Sequence, residues 1–362
     1  MMSSVDILLK LLRIAIGNES DYSLPSFVDW KEVIDLSVEQ GVAAIAVDGL
    51  QKIYDSDPDI QLDLDKPELE DMKYEWFGYT FSTEYDYEKH LKAIGKLAGL
   101  YGREGIKMMV LKGYASSLMY PMPSHRSAGD IDLYLYGGGE RGDVLIKQRG
   151  IKVKQNEDKH STFKFDDISV ENHASFLNVV EYPSYQVVED VLRREAMAGT
   201  SVSIAGEEVY LPTPMMNALF LSAHLAGHFV YGGASLKQVL DWAVFVEKHG
   251  SSVDFEQVCN LADRAGYGKF LRCLNKIVSA RFNVAVPHCE VSTELVERVW
   301  NEIISPDFRK VGKGVFDKVL RFFGSRWRYD LVYRENFCLT FFRRSWASFR
   351  GRHLNDSRNV WE

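Results

Sequence analysis

Residues 110–136 read VLKGYASSLMYPMPSHRSAGDIDLYLY, and the order of features in this stretch decides the fold. The apolar run from Ile106 to Leu111 is short enough for a buried strand. Lys112-Gly113 then makes a turn, and the small residues Ala115, Ser116 and Ser117 lead through Leu118 and Met119 into a helix start. Glycine at such a turn lets the backbone approach a ligand closely, and the free N–H groups of a helix start suit a phosphate. Lys112 adds a point charge at the same place. Farther along, Gly129-Asp130-Ile131-Asp132-Leu133-Tyr134-Leu135 alternates. The pattern predicts a strand with Ile131, Leu133 and Leu135 on one face and Asp130 and Asp132 on the other. Two such aspartates lie about 6.6 Å apart along the strand and are able to face one spot. Carboxylates that close repel, and one pKa rises unless a cation lies between them. An oxygen shell completed by water and phosphate is what Mg²⁺ prefers. The plain alternative for a lone D-x-D is a solvent-facing strand edge.

Strand, Lys-Gly turn, helix and then D-x-D on the next strand resembles the nucleotidyltransferase core of the DNA polymerase β superfamily. The wording LKG…R…GDIDLYL is similar to a large, poorly characterised bacterial nucleotidyltransferase family within it. The resemblance implies a glycine turn that holds a nucleoside triphosphate such as ATP, and aspartates that bind two Mg²⁺ (or Mn²⁺) ions. A third carboxylate is then expected from a neighbouring strand. Nucleotide contacts fall on Lys112, Gly113, Ser116 and Arg126. The chain departs from the superfamily in one respect: Lys112-Gly113 stands where Gly-Ser or Gly-Gly is usual, and serines come only at 116 and 117.

The third carboxylate is sought in Ile168-Ser169-Val170-Glu171-Asn172-His173, where alternation puts Ser169, Glu171 and His173 on one face. Strands at 152–155 and 161–165, with a turn at Asp166-Asp167, make this segment part of a hairpin. Packed beside the D-x-D strand, it would bring Glu171 to the metal position, and the resemblance supports that. Asp167 is the second choice. The bland alternative is a surface strand with ordinary polar alternation. His173 is a candidate for substrate or phosphate contact, or a hydrogen-bonded structural histidine.

The fold expected is α+β. A helical region at 1–104 is followed by a small mixed-sheet nucleotidyltransferase core at 105–211 and a helical domain at 212–362. Residues 1–20 carry Asp6, Lys10 and Arg13 at amphipathic spacing with no small-residue cleavage site, which reads as a helix of the fold in a cytoplasmic protein. A long helix is expected at 73–103 with Phe77, Phe81, Tyr85, Leu91, Ile94 and Leu97 buried. Composition is that of an ordinary globular protein, 46% hydrophobic and 26% charged. No apolar run approaches the ~20 residues of a membrane span. A net charge of −8 argues against a general nucleic-acid binder. Four scattered cysteines suggest neither zinc nor a disulfide framework. Residues 309–352 hold 12 Lys or Arg against 3 Asp or Glu, with many aromatics. That tail reads as a docked helix with a basic face, or as a wall for a polyanion or an anionic lipid surface.

In the helical domain, His224 and His228 stand four apart on one helix, with Lys237 and Asp241 on the next. H-x-x-x-H with an acid is able to hold zinc, but Leu225 replaces the glutamate of H-E-x-x-H. The wording HLAGHF…LK..LDW again resembles the bacterial family, which typically has arginine where Lys237 stands. These four residues, with His173, are candidates for lining a substrate cleft. Three functions follow. The first is an Mg²⁺-dependent nucleotidyltransferase using Asp130, Asp132 and Glu171, with a small-molecule, saccharide or protein hydroxyl as acceptor. The others are a catalytically inactive nucleotide-binding or interaction module, and a zinc hydrolase on His224, His228 and Asp241.

Overall fold

Ser3 opens helix α1 (Ser4–Ile16) with a reciprocal cap: its hydroxyl accepts from the Asp6 N–H while the Asp6 carboxylate accepts from the Ser3 N–H. Leu8, Leu11 and Leu12 are buried, and so are Ile7, Leu9 and Ile14, so the helix is enclosed on several sides. Helix α2 (Trp30–Glu39) and helix α3 (Ala43–Ser56) follow, and α3 packs against α1. A Cβ added to Gly49 of α3 would lie 2.0 Å from the Leu11 carbonyl oxygen, so this approach admits glycine alone. The computed structural model describes residues 2–156, 160–231, 233–286, 290–305, 324 and 326–340. Most of the basic tail therefore lies outside the described residues.

Helix α4 (Glu70–Gly102) has 33 residues, a length of about 50 Å. Ala93, Ile94, Leu97 and Tyr101 near its end are buried against the sheet. Phe81 and Tyr85, expected inside, are each 71% exposed. The helix outruns the sheet it packs on, so its apolar stripe lacks a partner at that level.

Among the described residues seven strands form one mixed sheet. They are β1 (Met109–Val110), β2 (Ile131–Tyr134), β3 (Lys154–Asn156), β4 (His160–Phe165), β5 (Ile168–His173), β6 (Thr200–Ile204) and β7 (Glu207–Leu211), in the order β3-β4-β5-β2-β1-β7-β6. Pairing is parallel for β2 with β5 and for β1 with β7, and antiparallel elsewhere. A four-residue helix α5 (Tyr114–Ser117) follows β1, and helix α6 (Gly139–Gln148) follows β2. On one face, Val110, Ile131, Leu133 and Val170 pack against Ile94 and Leu97 of α4 and Ile146 of α6. On the other, Met109, Leu111 and Tyr134 join the main core.

That core joins α1, α2 and α3 to helices α7 (Gln186–Ala196), α8 (Pro214–Tyr231), α9 (Leu236–His249), α10 (Phe255–Ala265), α11 (Gly268–Phe282), α12 (Thr293–Ile304) and α13 (Arg326–Val332). No described helix is long and apolar enough to cross a membrane. The sheet is thus covered on both faces, and Asp132, only 3% exposed, does not sit on a solvent-facing edge.

Candidate active site

β1 ends at Val110, and the chain reverses through Lys112 and Gly113. Gly113 adopts φ 58°, ψ −105°, a conformation that a side chain resists. A Cβ there would reach ordinary contact with the Asp130 carbonyl oxygen at 3.4 Å. Residues 113 and 130 are therefore adjacent, and the glycine turn lies beside the start of β2. The helix that follows is only four residues long, and Ser116 is buried at its centre, 2% exposed. Ser117 donates its hydroxyl to the Tyr114 carbonyl. Both serines are buried, each 2% exposed, and Ser117 also lines the cleft beside Gly113.

Parallel pairing of β2 with β5 places Asp132 directly opposite Glu171, and Tyr134 opposite His173. His173 Nε2 lies 2.9 Å from Asp132 Oδ1 and 3.6 Å from Glu171 Oε2. Its Nδ1 faces the Ser175 carbonyl at 3.3 Å. Among the described residues, Asp132, Glu171 and His173 are the one group of three acidic, cysteine or histidine side chains whose ligand atoms close to within 4.8 Å. Asp130 stands outside this trio. It precedes the first paired residue of β2, and its carboxylate hydrogen-bonds the Ser169 side chain of β5. Asp167, the second choice for a ligand, is exposed at the hairpin tip, where it and Asp166 take positive φ (63° and 48°). Four residues of strand separate it from Glu171, about 13 Å.

Lys112 supplies the counter-charge. Its Nζ lies 3.1 Å from Asp132 Oδ1 and 3.0 Å from His224 Nε2. Burial opposes the Asp132 charge, but the His173 hydrogen bond and the Lys112 ammonium outweigh it and hold the carboxyl at about 2. Asp130 moves the other way: burial raises its pKa, and repulsion from Glu171 and Asp132 adds to the rise. The two aspartates of one motif are thus driven apart, with Asp132 the firmly ionised one.

The helical domain arranges its candidates differently. Asp241 Oδ2 accepts from Arg126 Nη2 at 2.6 Å, while Oδ1 accepts from Arg126 Nε at 3.1 Å and from the Tyr120 hydroxyl at 2.8 Å. Both partners are buried. A bidentate pair of this kind consumes the Asp241 carboxylate, so it does not complete a zinc site with His224 and His228. Those histidines pair through Nε2 atoms 2.8 Å apart. Arg126 is held by Asp241 and by the Ser127 carbonyl, which receives Nη1 at 3.1 Å. Lys237 is half-buried, and burial together with repulsion from Arg126 lowers its pKa to about 8.

A narrow cleft of about 10 Å³ opens beside the glycine turn and the start of β2; Glu171, His173, His224, His228, Lys237 and Asp241 do not line it. Gly113, Tyr114, Ser117, Arg126, Asp130 and Asp132 line it, with Tyr87 and His90 contributed by α4. Tyr87 stacks on Tyr114 with ring centroids 5.5 Å apart.

Sequence reasoning missed His160. It pairs directly with His173 across the β4–β5 hairpin, and its Nε2 lies 3.7 Å from Glu171 Oε1. The signal was present: a tight turn at Asp166-Asp167 pairs residues equidistant from it, and 160 mirrors 173. His90, which contacts the Gly129 carbonyl at 2.6 Å, carried no comparable signal.

Residues 26–283 match the sequence model of a nucleotidyltransferase family, and the class of the protein is accordingly that of enzymes transferring nucleotidyl groups. The family is the one described as "Uncharacterised nucleotidyltransferase"; the match spans well over half of the chain, and the chain belongs to it. No curated protein matches the chain. Among solved structures, the solution structure of the antibiotic-resistance factor ANT(2'')-Ia is similar at 15% identity, covering 52% of this chain and 96% of that one, with a TM-score of 0.36. The crystal structure of ANT(2'')-Ia with adenylyl-2''-tobramycin has 18% identity, 49% and 95% coverage and a TM-score of 0.34. An antigenic nucleotidyltransferase-like protein from Paracoccidioides brasiliensis has 15% identity, 55% and 94% coverage and a TM-score of 0.33.

Proposed function

We propose that the protein moves a nucleoside monophosphate from a nucleoside triphosphate, such as ATP, to a hydroxyl acceptor, releasing pyrophosphate. The observation that carries this reading is the register that sets Asp132 beside Glu171, next to the Gly113 turn. The donor set fits a divalent cation, Mg²⁺ or Mn²⁺: two carboxylates converge, and Asp130 stands close enough to feel both charges. Asp130, Asp132 and Glu171 would hold it. When bound, the ion supplies charge stabilisation for the leaving pyrophosphate.

The remaining work falls to the chain. The Gly113 backbone, with no side chain, comes close to the phosphates. Lys112 turns from Asp132 to the β- and γ-phosphates, and Arg126, kept in place by Asp241, presents its remaining N–H groups to the cleft. Glu171, at the rim of the group, takes the acceptor's proton, a transfer that typically contributes about 10²–10⁴-fold. The acceptor, a small molecule, a saccharide or a protein side chain, enters between the sheet and the helices carrying His224, His228 and Lys237.

The test is ATP or GTP binding by calorimetry with and without Mg²⁺, followed by pyrophosphate release with candidate acceptors, in the native chain and in Asp132→Ala. Cation-dependent nucleotide binding and turnover in the native chain alone support transfer. Equal binding and no turnover in both proteins would count against it. One observation favours a silent, nucleotide-binding role instead: the Lys112 ammonium already pairs with Asp132 and His173 hydrogen-bonds it from within. In that case Asp132→Ala loses cation-dependent binding although the native chain never turns over.

A further inference from the structure

The acid group contains a side chain that an all-oxygen Mg²⁺ site does not need. We propose that His173 is itself a cation ligand through Nε2, which makes this a mixed nitrogen–oxygen site that takes Mn²⁺ or Co²⁺ in preference to Mg²⁺. The proposal rests on the reading above, that a divalent cation sits between Asp132 and Glu171.

Three features of the geometry point to it. Both carboxylates approach the same nitrogen, at 2.9 and 3.6 Å. Neighbouring ligand atoms around an ion with bonds of about 2.1 Å lie about 3.0 Å apart in octahedral and about 3.4 Å in tetrahedral geometry. The two distances from His173 Nε2 to the acids therefore fall near the spacing of one coordination shell, and the three ligand atoms all lie within 4.8 Å of one another. Second, the other ring nitrogen is committed, since Nδ1 faces the Ser175 carbonyl. That contact holds the ring by the nitrogen facing away from the acids, as outer partners of metal-bound histidines do, so Nε2 is the atom that a cation would take over from its hydrogen bond to Asp132. Glu189 steadies the same turn by accepting the N–H groups of Phe176 and Leu177 at 3.0 Å. Third, the cation now in place has somewhere to go. Lys112 lies 3.0 Å from His224 Nε2, so its ammonium keeps a partner when it yields Asp132.

Selectivity follows from ligand chemistry. Imidazole nitrogen suits borderline transition ions, whereas Mg²⁺ favours oxygen and gives up water reluctantly. His160, 3.7 Å from the other Glu171 oxygen, adds to the imidazole surroundings.

The experiment titrates the full-length protein with Mn²⁺, follows the loss of the free-ion electron paramagnetic resonance signal, and competes with Mg²⁺. Electron spin-echo modulation from an imidazole nitrogen is expected on the bound Mn²⁺. His173→Gln, which keeps an oxygen donor, should abolish that modulation and weaken Mn²⁺ by ~10-fold or more, while Mg²⁺ competition stays close to native. Bound Mn²⁺ without nitrogen modulation overturns the proposal and leaves the parent reading standing, as does an equal loss of both ions in the variant. A native chain that binds neither ion overturns both. Because His173 is buried, thermal unfolding checks the variant's fold, and the nitrogen signal of the native protein decides independently of it.

Discussion

Of the two histidine–acid groups that sequence spacing singles out, one on the sheet and one on α8 and α9, only the first converges. On the sheet, Asp132, Glu171 and His173 come from two parallel strands whose register brings their ligand atoms to within 4.8 Å. On the helices, His224, His228 and Asp241 have equally suggestive spacing. There, however, the aspartate is taken by Arg126 and the histidines pair with each other. Spacing on one helix sets only which face a residue shares. Register between strands sets which residues meet, and that makes the sheet group the stronger candidate for chemistry.

The sharpest way to break the comparison is to remove the helical acid. Asp241→Ala leaves the buried Arg126 guanidinium without its carboxylate, and losing one partner of a buried pair costs about 3–5 kcal/mol. A large fall in thermal stability is expected, with Mn²⁺ binding at the sheet retained in the folded fraction. Replacing both partners, Arg126→Met with Asp241→Leu, should recover most of the stability. An Asp241→Ala protein that unfolds as the native one does would show that the pair is not structural. On the sheet the larger loss falls on chemistry: Asp132→Asn should lower turnover by about 10²–10³-fold. Its stability loss should be smaller than that of Asp241→Ala, because Lys112 keeps His224 as a partner. Unaltered pyrophosphate release in Asp132→Asn would remove the sheet group from catalysis.

The contrast also shows what the sequence was able to reveal. Alternation in 131–135 and 168–173, with a turn at Asp166-Asp167, is local information, and it placed the apolar and polar faces of β2 and β5. The family resemblance rested on the same stretch, and the family match and the α+β architecture agree with it. The Arg126–Asp241 pair, 115 residues apart, left no trace in any local period, because it depends on how α9 docks on the loop before β2. Phe81 and Tyr85 obey the helical stripe and are exposed all the same, since a stripe does not say where the partner surface ends. Asp130 shows a finer limit. Pattern alone gives it the same standing as Asp132, and only the first paired residue of β2 separates them.

A smaller effect tests the glycine turn that serves the sheet group. Gly113→Ala forces a side chain into φ 58°, ψ −105°, a backbone strain of about 1–3 kcal/mol. Both stability and nucleotide affinity should fall, measured by thermal unfolding and calorimetry. Lys112→Ala would weaken nucleotide binding without that backbone strain. If Gly113→Ala bound nucleotide as the native chain does, the turn would have no part in holding phosphates.

The mildest expected effect concerns a third histidine, and it isolates what distinguishes a ligand from a clamp. His125, like His173, stands between two carboxylates. Here each acid takes its own nitrogen: Asp48 lies 2.6 Å from Nδ1 and Glu84 lies 3.0 Å from Nε2. No lone pair is left for a cation, and both contacts require a proton, so His125 ties α3 and α4 to the segment before β2 as an imidazolium. The Asp48 hydrogen bond outweighs burial, and with help from Glu84 it raises the His125 pKa above 6.5. A raised folded-state pKa means that the clamp's stabilisation is fully present below pH 6.5, the unfolded value, and is lost as pH climbs through the folded one. The melting temperature of the native chain should therefore exceed that of His125→Gln most below about pH 6.5, with the gap narrowing as pH rises above it. A gap that stays constant or widens with rising pH would show that His125 acts as a neutral hydrogen-bonding residue and not as a charged tie.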